Sequence, residues 1–338
     1  APQHAYYEAT AYATPHARAD VAARMFEVME TNGLWSAGSV TTSRGGVTVV
    51  NSQGVRASFD GTDAALNIKA NAAHSSGYAE YVTSDAATID GSAVASIAAA
   101  KALTSRDPQA VEPGAWTVIL EPAAFGELFS YVSGHFSAQA YDEGSSFLSD
   151  GLDRPYVAEN VTVRDDYAQP LTPGLPFDYE GAPKTRLTLI EHGIAKNVVT
   201  DGYWAQRLGR ANTGHALPAP NAHGPQATNL VVDPGTKSVD ELIADTERGL
   251  LVTRFWYIRP VDYRKTIVTG MTRDGLFLIE RGKVTRGVRN MRFNQSILEA
   301  LNHCEPAKEL RRTSGYAYSL TVPAMKFERF MFSSGTDF

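Results

Sequence analysis

Histidine and cysteine are the side chains from which a transition-metal site would be built, and this sequence holds eight histidines and one cysteine. A helical zinc site needs two histidines on one helix face with a glutamate beside the first, and no such run occurs. His215 and His223 flank a proline-rich stretch, but a flexible loop of this kind is a weak metal signal. We expect hydrogen-bonded or surface histidines there, and a helix-end histidine at His135.

Nucleophilic and nucleotide-binding motifs are also missing from the sequence. It has neither the GxSxG turn of serine hydrolases nor the glycine-rich loops that bind phosphate groups. Cys304 has a histidine directly beside it in the chain, which favours a half-buried thiol over a catalytic one. Solvation or turn capping explains the acidic pairs Asp142-Glu143 and Asp165-Asp166. The residue types therefore predict no catalytic group.

Three polar segments are richer in amide and hydroxyl groups than simple turns require. A sheet edge with free backbone groups can bind an extended peptide as an added strand, and such segments could grip that peptide. The alternative, which has equal weight, is that they are structural turns in a β-rich region. The segments are Asn212–Pro218, Gly224–Leu230 and Asn290–Asn294.

The charge balance and cysteine count exclude some partners and favour one compartment. Lys and Arg number 31 against 37 Asp and Glu, and the resulting net charge of −6 has the wrong sign for direct binding to nucleic acid. No apolar run is long enough to span a membrane, and the first residues lack the segments of a secretory signal. A single cysteine fits a reducing compartment, so we predict a cytoplasmic protein.

The elements that carry these segments fall into two parts, which meet near residue 110. Capping signals predict helices over Pro15–Gly33 and Asp90–Leu103. Between them, β-rich runs within Trp35–Val82 predict short antiparallel hairpins, broken at Gly45-Gly46, Gln53-Gly54 and Asp60-Gly61.

The second part is mostly β with a few helices. A buried strand over Trp116–Leu120 leads into a helix that starts at Pro122. A long loop is predicted over residues 144–183. Hairpins are predicted around His192-Gly193 and, with a stronger signal, around Asp274-Gly275.

Several motifs follow one another in order along nearly the whole chain. They are Thr117–Pro122, Ser145–Ser149, Thr213–Pro218, Thr228–Leu230, Glu247–Arg254, Thr269–Gly275 and Arg292–Ser296. Together they resemble the TldD/PmbA family, once called modulators of DNA gyrase. The resemblance implies two related subunits that form a cytoplasmic protease for unfolded peptides, including modified peptide-antibiotic precursors. One subunit carries a zinc-binding HExxxH motif, and the other, the TldE or PmbA type, lacks it.

This sequence resembles the subunit without zinc. The HExxxH motif falls on Leu120–Phe125, where both histidine positions are apolar and only Glu121 remains. The zinc subunit also has a ligand cysteine near its C-terminal end, whereas Val322–Phe327 has no thiol and Cys304 lies too early. The resemblance therefore implies a chain without a cofactor, with zinc expected only in a TldD-like partner. Family members also carry a further helix and strand at the N-terminus.

The combined expectation is an α+β fold. An N-terminal α/β domain, incomplete relative to the family, is predicted at residues 1–110. A mostly β, pseudo-barrel-like domain with a few helices is predicted at residues 111–338. The chain is expected to be a non-catalytic subunit of a cytoplasmic metalloprotease complex that cleaves unfolded or modified peptides. Its partner would be a TldD-like zinc subunit or a second copy of itself, without direct contact to nucleic acid or membrane.

The residues expected to bind substrate or to form the chamber wall are carried over by motif position. They are Thr213, Gly214, His215 and Asn229. One alternative is a stand-alone homodimer that binds peptides or small ligands and has no catalytic activity. Another is an enzyme with an unrecognised metal site, built from Glu121, His135, His215 and His223.

Overall fold

The computed structural model describes residues 4–314 and 320–336. The two long helices of the first part are confirmed, and each begins at its predicted cap. Thr14 Oγ1 accepts a hydrogen bond from Ala17 N–H, and Asp90 Oδ1 accepts one from Ala93 N–H. The α-helices are α1 (Glu8–Ala11), α2 (Pro15–Thr31), α3 (Gly91–Thr104), α4 (Pro122–Ser130), α5 (Ala138–Asp142), α6 (Gly202–Leu208), α7 (Val239–Ala244) and α8 (Ile297–Leu301). Short 3₁₀ helices lie at Ala86–Thr88, Ser133–Phe136 and Phe147–Asp150.

Three strands form an antiparallel sheet, here called the N-terminal sheet. They are β1 (Trp35–Val50), β2 (Arg56–Asn71) and β3 (Ser76–Thr83), with β2 in the centre. The predicted antiparallel pairing and the predicted break at Gln53-Gly54 are confirmed, but the predicted breaks at Gly45-Gly46 and Asp60-Gly61 are wrong. Gly45 pairs with Gly61 inside a continuous ladder, because an extended glycine keeps its backbone hydrogen bonds. The chain reverses only around Asn51, whose Oδ1 accepts from the N–H groups of Gln53 and Val55.

Helices α2 and α3 cover one face of the N-terminal sheet. Leu66 and Ile68 of β2 are fully buried in a cluster that includes Met25 of α2 and Ala98 of α3. The contact between α3 and β3 is so close that a Cβ on Gly77 would lie 2.2 Å from Ala98 O. The alanine-rich helix therefore packs directly on the backbone of the sheet.

In the described residues, eleven strands form a second sheet, the C-terminal sheet, and part of it closes on itself. They are β4 (Gly114–Leu120), β5 (Val163–Asp165), β6 (Leu187–Glu191), β7 (Ile194–Ala195), β8 (Leu230–Val232), β9 (Arg248–Asp262), β10 (Ile267–Glu280), β11 (Lys283–Gly287), β12 (Met291–Ser296), β13 (Cys304–Thr313) and β14 (Leu320–Gly335). Pairing runs from β10 through β9, β4, β14 and β12 back to β10. This closed circuit is called the strand ring. The α+β class and the mostly β, barrel-like second half are confirmed.

Aromatic side chains fill the core of the strand ring. Phe255 of β9 lies 4.6 Å from Phe293 of β12 and 5.7 Å from Phe330 of β14, measured between ring centroids. Helix α4 adds Phe125, whose ring centroid is 6.0 Å from that of Phe327. All five side chains are fully buried. Strand pairing and aromatic burial thus fix the ring together.

The predicted hairpin around Asp274-Gly275 is wrong. Strand β10 runs straight through these residues, and β9 pairs with it on both sides, with a register shift between Arg273 and Leu276. The φ angles of 52° at Asp274 and 130° at Gly275 form a β-bulge. An Asp-Gly pair supplies the positive φ that both bulges and hairpin turns need, so the pattern alone could not separate them.

The hairpin around His192-Gly193 is confirmed, since β6 and β7 pair antiparallel across it and both residues have positive φ. The predicted long loop at residues 144–183 contains only a 3₁₀ turn and the short strand β5. In the described part of the chain, no helix combines the length and the apolar composition needed to cross a bilayer.

Candidate functional site

The four residues predicted as wall or substrate contacts meet at one buried polar centre. We call it the His215 network, and it consists of Asp165, Lys184, Thr200, Thr213, His215 and Asn229. Strand β5 ends at Asp165, and β8 begins directly after Asn229. Thr213 N–H donates to Thr200 Oγ1 at 2.9 Å, and Thr200 N–H donates to Thr213 Oγ1 at 2.7 Å. This reciprocal pair fixes the loop that carries His215.

The imidazole of His215 is completely enclosed and is contacted from both sides. Its Nδ1 lies 2.9 Å from Thr213 Oγ1, and its Nε2 lies 3.2 Å from Asp165 Oδ1. The second oxygen of Asp165 accepts a hydrogen bond from Asn229 N–H at 2.9 Å. A carboxylate with no solvent exposure requires such partners, because an uncompensated buried charge is strongly unfavourable.

Lys184 supplies the opposite charge inside the network. Its Nζ donates to Thr228 Oγ1 at 2.5 Å and to Asn229 Oδ1 at 2.9 Å, and lies 3.8 Å from Asp165 Oδ1. Burial lowers the pKa of Lys184, while the carboxylates of Asp165 and Asp178 oppose that change. Burial alone would raise the pKa of Asp165, but Lys184 and His215 hold it below its usual value.

Backbone constraints fix the loop between Thr213 and Ala216. Gly214 has a φ of 71°, and a Cβ at this position would lie 2.3 Å from Pro183 O. Only glycine fits there without strain. The next turn is held by Asp178, whose Oδ2 accepts a hydrogen bond from Ala216 N–H at 3.0 Å.

Sequence reasoning missed the charged centre of this network. The interpretation of Asp165 as a solvated or turn-capping residue is wrong, because its side chain is fully buried. Asp166 does cap a turn, since its Oδ1 accepts from Ala168 N–H at 3.0 Å. The available signal was strand alternation, because Val163 and Asp165 must share one face of β5 and Val163 is a core residue. Nothing in the sequence around Lys184 indicates burial.

A cavity of about 640 Å³, the inter-sheet cavity, lies between parts of the N-terminal sheet and the C-terminal sheet. Strand β3 and helix α3 line one side, and the start of α4 and the end of β13 line the other. Glu121 joins the two sides, because its Oε2 lies 2.5 Å from Lys101 Nζ of α3. Lys101 Nζ also donates to Tyr78 O at 3.2 Å.

Two carboxyl groups near the Arg254 guanidinium, those of Glu80 and Glu127, have raised pKa values. Tyr78 O–H donates to Glu80 Oε2 at 2.7 Å, and burial raises the pKa of Glu80. Burial also raises the pKa of Glu127 to about 7, although the nearby Arg254 guanidinium opposes the change. The Arg254 guanidinium lies 4.3 Å from the centre of the Tyr78 ring. Such groups are found both at functional sites and in structural ion networks.

The larger part of the chain matches a known protein family. Residues 113–334 match a family model described as PmbA/TldA metallopeptidase C-terminal domain. This stretch comprises all of the strand ring except Gly335, the last residue of β14. The chain belongs to the TldD/PmbA family. The family predicted from the sequence motifs is therefore confirmed.

Individual relatives of this TldD/PmbA chain agree with that assignment. A metalloprotease from Methanothermobacter thermautotrophicus is 26% identical over 202 residues, which are 57% of this chain and 42% of the relative. A metalloprotease TldD homolog from Haemophilus influenzae is 27% identical over 209 residues, 60% of this chain and 42% of the relative. The match thus spans less than half the length of these relatives. TldE from Thermococcus kodakarensis shares the fold, with a TM-score of 0.86, 21% identity, and coverage of 98% of this chain and 78% of that one.

The family's zinc does not fit the residues at positions 120 to 125. Leu120 and Phe125 are hydrocarbon side chains buried in the core, and the Glu121 carboxylate is bonded to an ammonium group. Burial raises the pKa of Cys304 to about 12, which keeps it a neutral thiol and a poor ligand. Within residues 4–314 and 320–336, no three His, Cys, Asp or Glu side chains are grouped so that they could hold a metal. The metal site suggested from Glu121, His135, His215 and His223 is accordingly not assembled.

The remaining histidines and the third polar segment have separate surroundings. His135 is buried under Tyr263, with ring centroids 4.2 Å apart, and its Nδ1 accepts from Phe147 N–H at 3.3 Å. His223 is exposed in the loop after Asn221. Four of the five residues of the segment Asn290–Asn294 lie in strand β12, so this segment is not a loop.

Proposed function

We propose that this chain is the metal-free, TldE-type subunit of a cytoplasmic TldD/TldE-type metalloprotease complex that cleaves unfolded or modified peptides. It would shape the chamber and hold the peptide, while a TldD-like partner would supply zinc to activate water. Family membership supports the general class of activity. The division of labour between subunits is our proposal.

The observation that carries this proposal is the Glu121–Lys101 pair. Glu121 occupies the glutamate position of the family motif and faces the inter-sheet cavity, but its carboxylate is neutralised by Lys101 Nζ at 2.5 Å. A general base needs a free carboxylate within reach of water or substrate. A carboxylate held by an ammonium group is suited to joining the two sheets instead.

The His215 network would hold the wall against which the peptide lies. Thr213, His215 and Asn229 are buried within the chain, whereas the segment from Pro218 to His223 between them is exposed. We propose that the network and Gly214 fix this exposed segment in the shape that contacts substrate. Preorganised loops lose less entropy when they bind a flexible peptide.

The test is peptide cleavage by this chain mixed with a TldD-like protein. We expect no cleavage by this chain alone, cleavage by the mixture, and elution of the mixture from gel filtration as a larger species than either component. The variants His215→Ala and Asn229→Ala should lower kcat/KM of the mixture at least tenfold. His16→Ala, at an exposed site on α2, is the matched control and should behave as wild type.

Each outcome separates this function from the alternatives. Chelator-sensitive cleavage by the chain alone would contradict the metal-free role. Failure to associate with any TldD-like protein, together with a stable dimer of the chain alone, would favour the stand-alone homodimer that binds peptides without cleaving them. Full activity of a folded His215→Ala mixture would remove the network from substrate handling.

A further inference from the structure

A second cleft, of about 870 Å³, lies at the far end of the N-terminal sheet and is called the arginine cleft. The first residue pair of the β1–β2 ladder and the start of β3 contribute to its wall. So do the end of the segment Thr269–Gly275 and the start of the segment Asn290–Asn294, neither of which the proposed function uses. The residues used below are Trp35, Lys69, Asp107, Arg273, Asp274 and Arg289. Its volume lies in the range of roughly 300–1,000 Å³ typical of ligand sites.

Positive charge exceeds negative charge in this cleft. Lys69 Nζ lies 3.1 Å from Asp274 Oδ1, and Ser76 O–H donates to the same oxygen at 2.7 Å, so the buried Asp274 is already neutralised. A second cation also contacts this carboxylate, because Arg254 Nε lies 3.5 Å from Asp274 Oδ2. These contacts account for the carboxylate of the bulge and leave it unavailable to other cations.

Two arginines remain whose charge is not matched in this way. Within the described ranges, neither Arg273 nor Arg289 has a carboxylate within 4.0 Å, and Asp107 is the only other acidic group on the cleft wall. The Arg273 guanidinium instead lies 5.8 Å from the centre of the Trp256 ring. A guanidinium is a planar group with five donors, which matches the two oxygens of a carboxylate.

The bulge at Asp274-Gly275 directly follows Arg273 in strand β10. Both bulge residues have positive φ angles, and a Cβ on Gly275 would lie 2.5 Å from Thr253 Oγ1, so the local shape depends on glycine. The indole of Trp35, which is 65% exposed, stands at the rim. An exposed aromatic ring next to cations offers apolar contact for the part of a ligand that is not charged.

We infer that the arginine cleft binds a carboxylate of an acidic peptide through Arg273 and Arg289. This inference rests on the proposed function, because it assigns a preference for acidic residues to the peptide that the chain holds. The exposed indole of Trp35 and the volume of about 870 Å³ favour a peptide carboxylate over a small inorganic anion.

The experiment is a calorimetric titration of the purified chain with each of two blocked peptides. The probes are acetyl-Ala-Glu-Ala-Glu-amide and its uncharged counterpart acetyl-Ala-Gln-Ala-Gln-amide. We expect the acidic peptide to bind at least about fivefold more tightly, with the difference shrinking as salt rises. R273Q and R289Q should each remove most of this preference. R56Q, at the opposite end of the β1–β2 ladder, is the control of equal charge change and should retain it.

Three results would overturn the inference. They are equal binding of the two peptides, wild-type preference in both R273Q and R289Q, and displacement of the acidic peptide by equimolar inorganic phosphate. Cleavage of an uncharged unfolded peptide by the mixture with a TldD-like protein is measured in parallel. If that cleavage persists while the acidic preference is absent, the proposed function stands and only this assignment fails.

Discussion

Glu127→Gln should stabilise the protein at alkaline pH and have little effect at acidic pH. Burial raises the pKa of the Glu127 carboxyl from 4.5 to about 7. Between these two pH values the group is therefore protonated in the folded protein but ionised in the unfolded chain. Its contribution to the free energy of unfolding is complete below pH 4.5 and is lost as pH rises to 7. Glutamine has nearly the same shape and cannot ionise.

The size of the effect follows from the linkage of protonation to folding. Each pKa unit corresponds to about 1.4 kcal/mol, so the full difference between the folded and unfolded pKa values corresponds to about 3 kcal/mol. The wild-type protein should lose about 1.4 kcal/mol per pH unit relative to Glu127→Gln within this window. Above pH 7.5 the variant should be the more stable protein by up to about 3 kcal/mol.

The assay is urea denaturation followed by tryptophan fluorescence, in half-unit steps from pH 5 to pH 8.5. Glu159→Gln, at an exposed position, is the control and should give a difference that does not change with pH. A constant difference between wild type and Glu127→Gln over this range would refute the reasoning. A difference that moved in the wild type's favour as pH rose would refute it equally.

Three further changes test other parts of the structure. Gly214→Ala should destabilise by about 2 kcal/mol or more, seen as a lower Tm, because its Cβ would lie 2.3 Å from Pro183 O at a φ of 71°. Lys184→Met should cost about 3 kcal/mol in urea denaturation, because it leaves the Asp165 carboxylate buried without its cation; an unchanged midpoint would contradict this. Burial lowers the pKa of His135 to about 4, so acidification from pH 6.5 to 4 should destabilise wild type more than His135→Asn, measured by the same titration, whereas parallel curves would argue against a buried neutral imidazole.

Local signals in the sequence located most elements but not their partners in space. Capping residues such as Thr14 and Asp90 marked helix starts, because a cap acts within a few residues of its own position. The pair Asp274-Gly275 gave a wrong prediction, because a hairpin turn and a β-bulge both need its positive φ angles. Which of the two forms is decided by pairing with strand β9, which lies elsewhere in the chain. The boundary near residue 110 stays a prediction.

In the candidate site, too, the sequence indicated individual residues but not their partners in space. The motif residues Thr213, His215 and Asn229 were identified from family resemblance, and they do lie together. Asp165 and Lys184 at their centre were missed, because the burial of a charged side chain is decided by contacts between segments far apart in the chain. Electrostatic centres of this kind require the fold before they can be predicted.

The closure of the strand ring has a consequence for how the protein is made. Strand β14, Leu320–Gly335, pairs with both β4 and β12, and these are the contacts that complete the ring. On the ribosome the N-terminal sheet, whose strands are neighbours in the chain, can form early, whereas β4 gains its second partner only after the much later strand β14 has been synthesised. Throughout that interval the nascent polypeptide presents unpaired strand edges, so its need for chaperone protection should be greatest before β14 emerges.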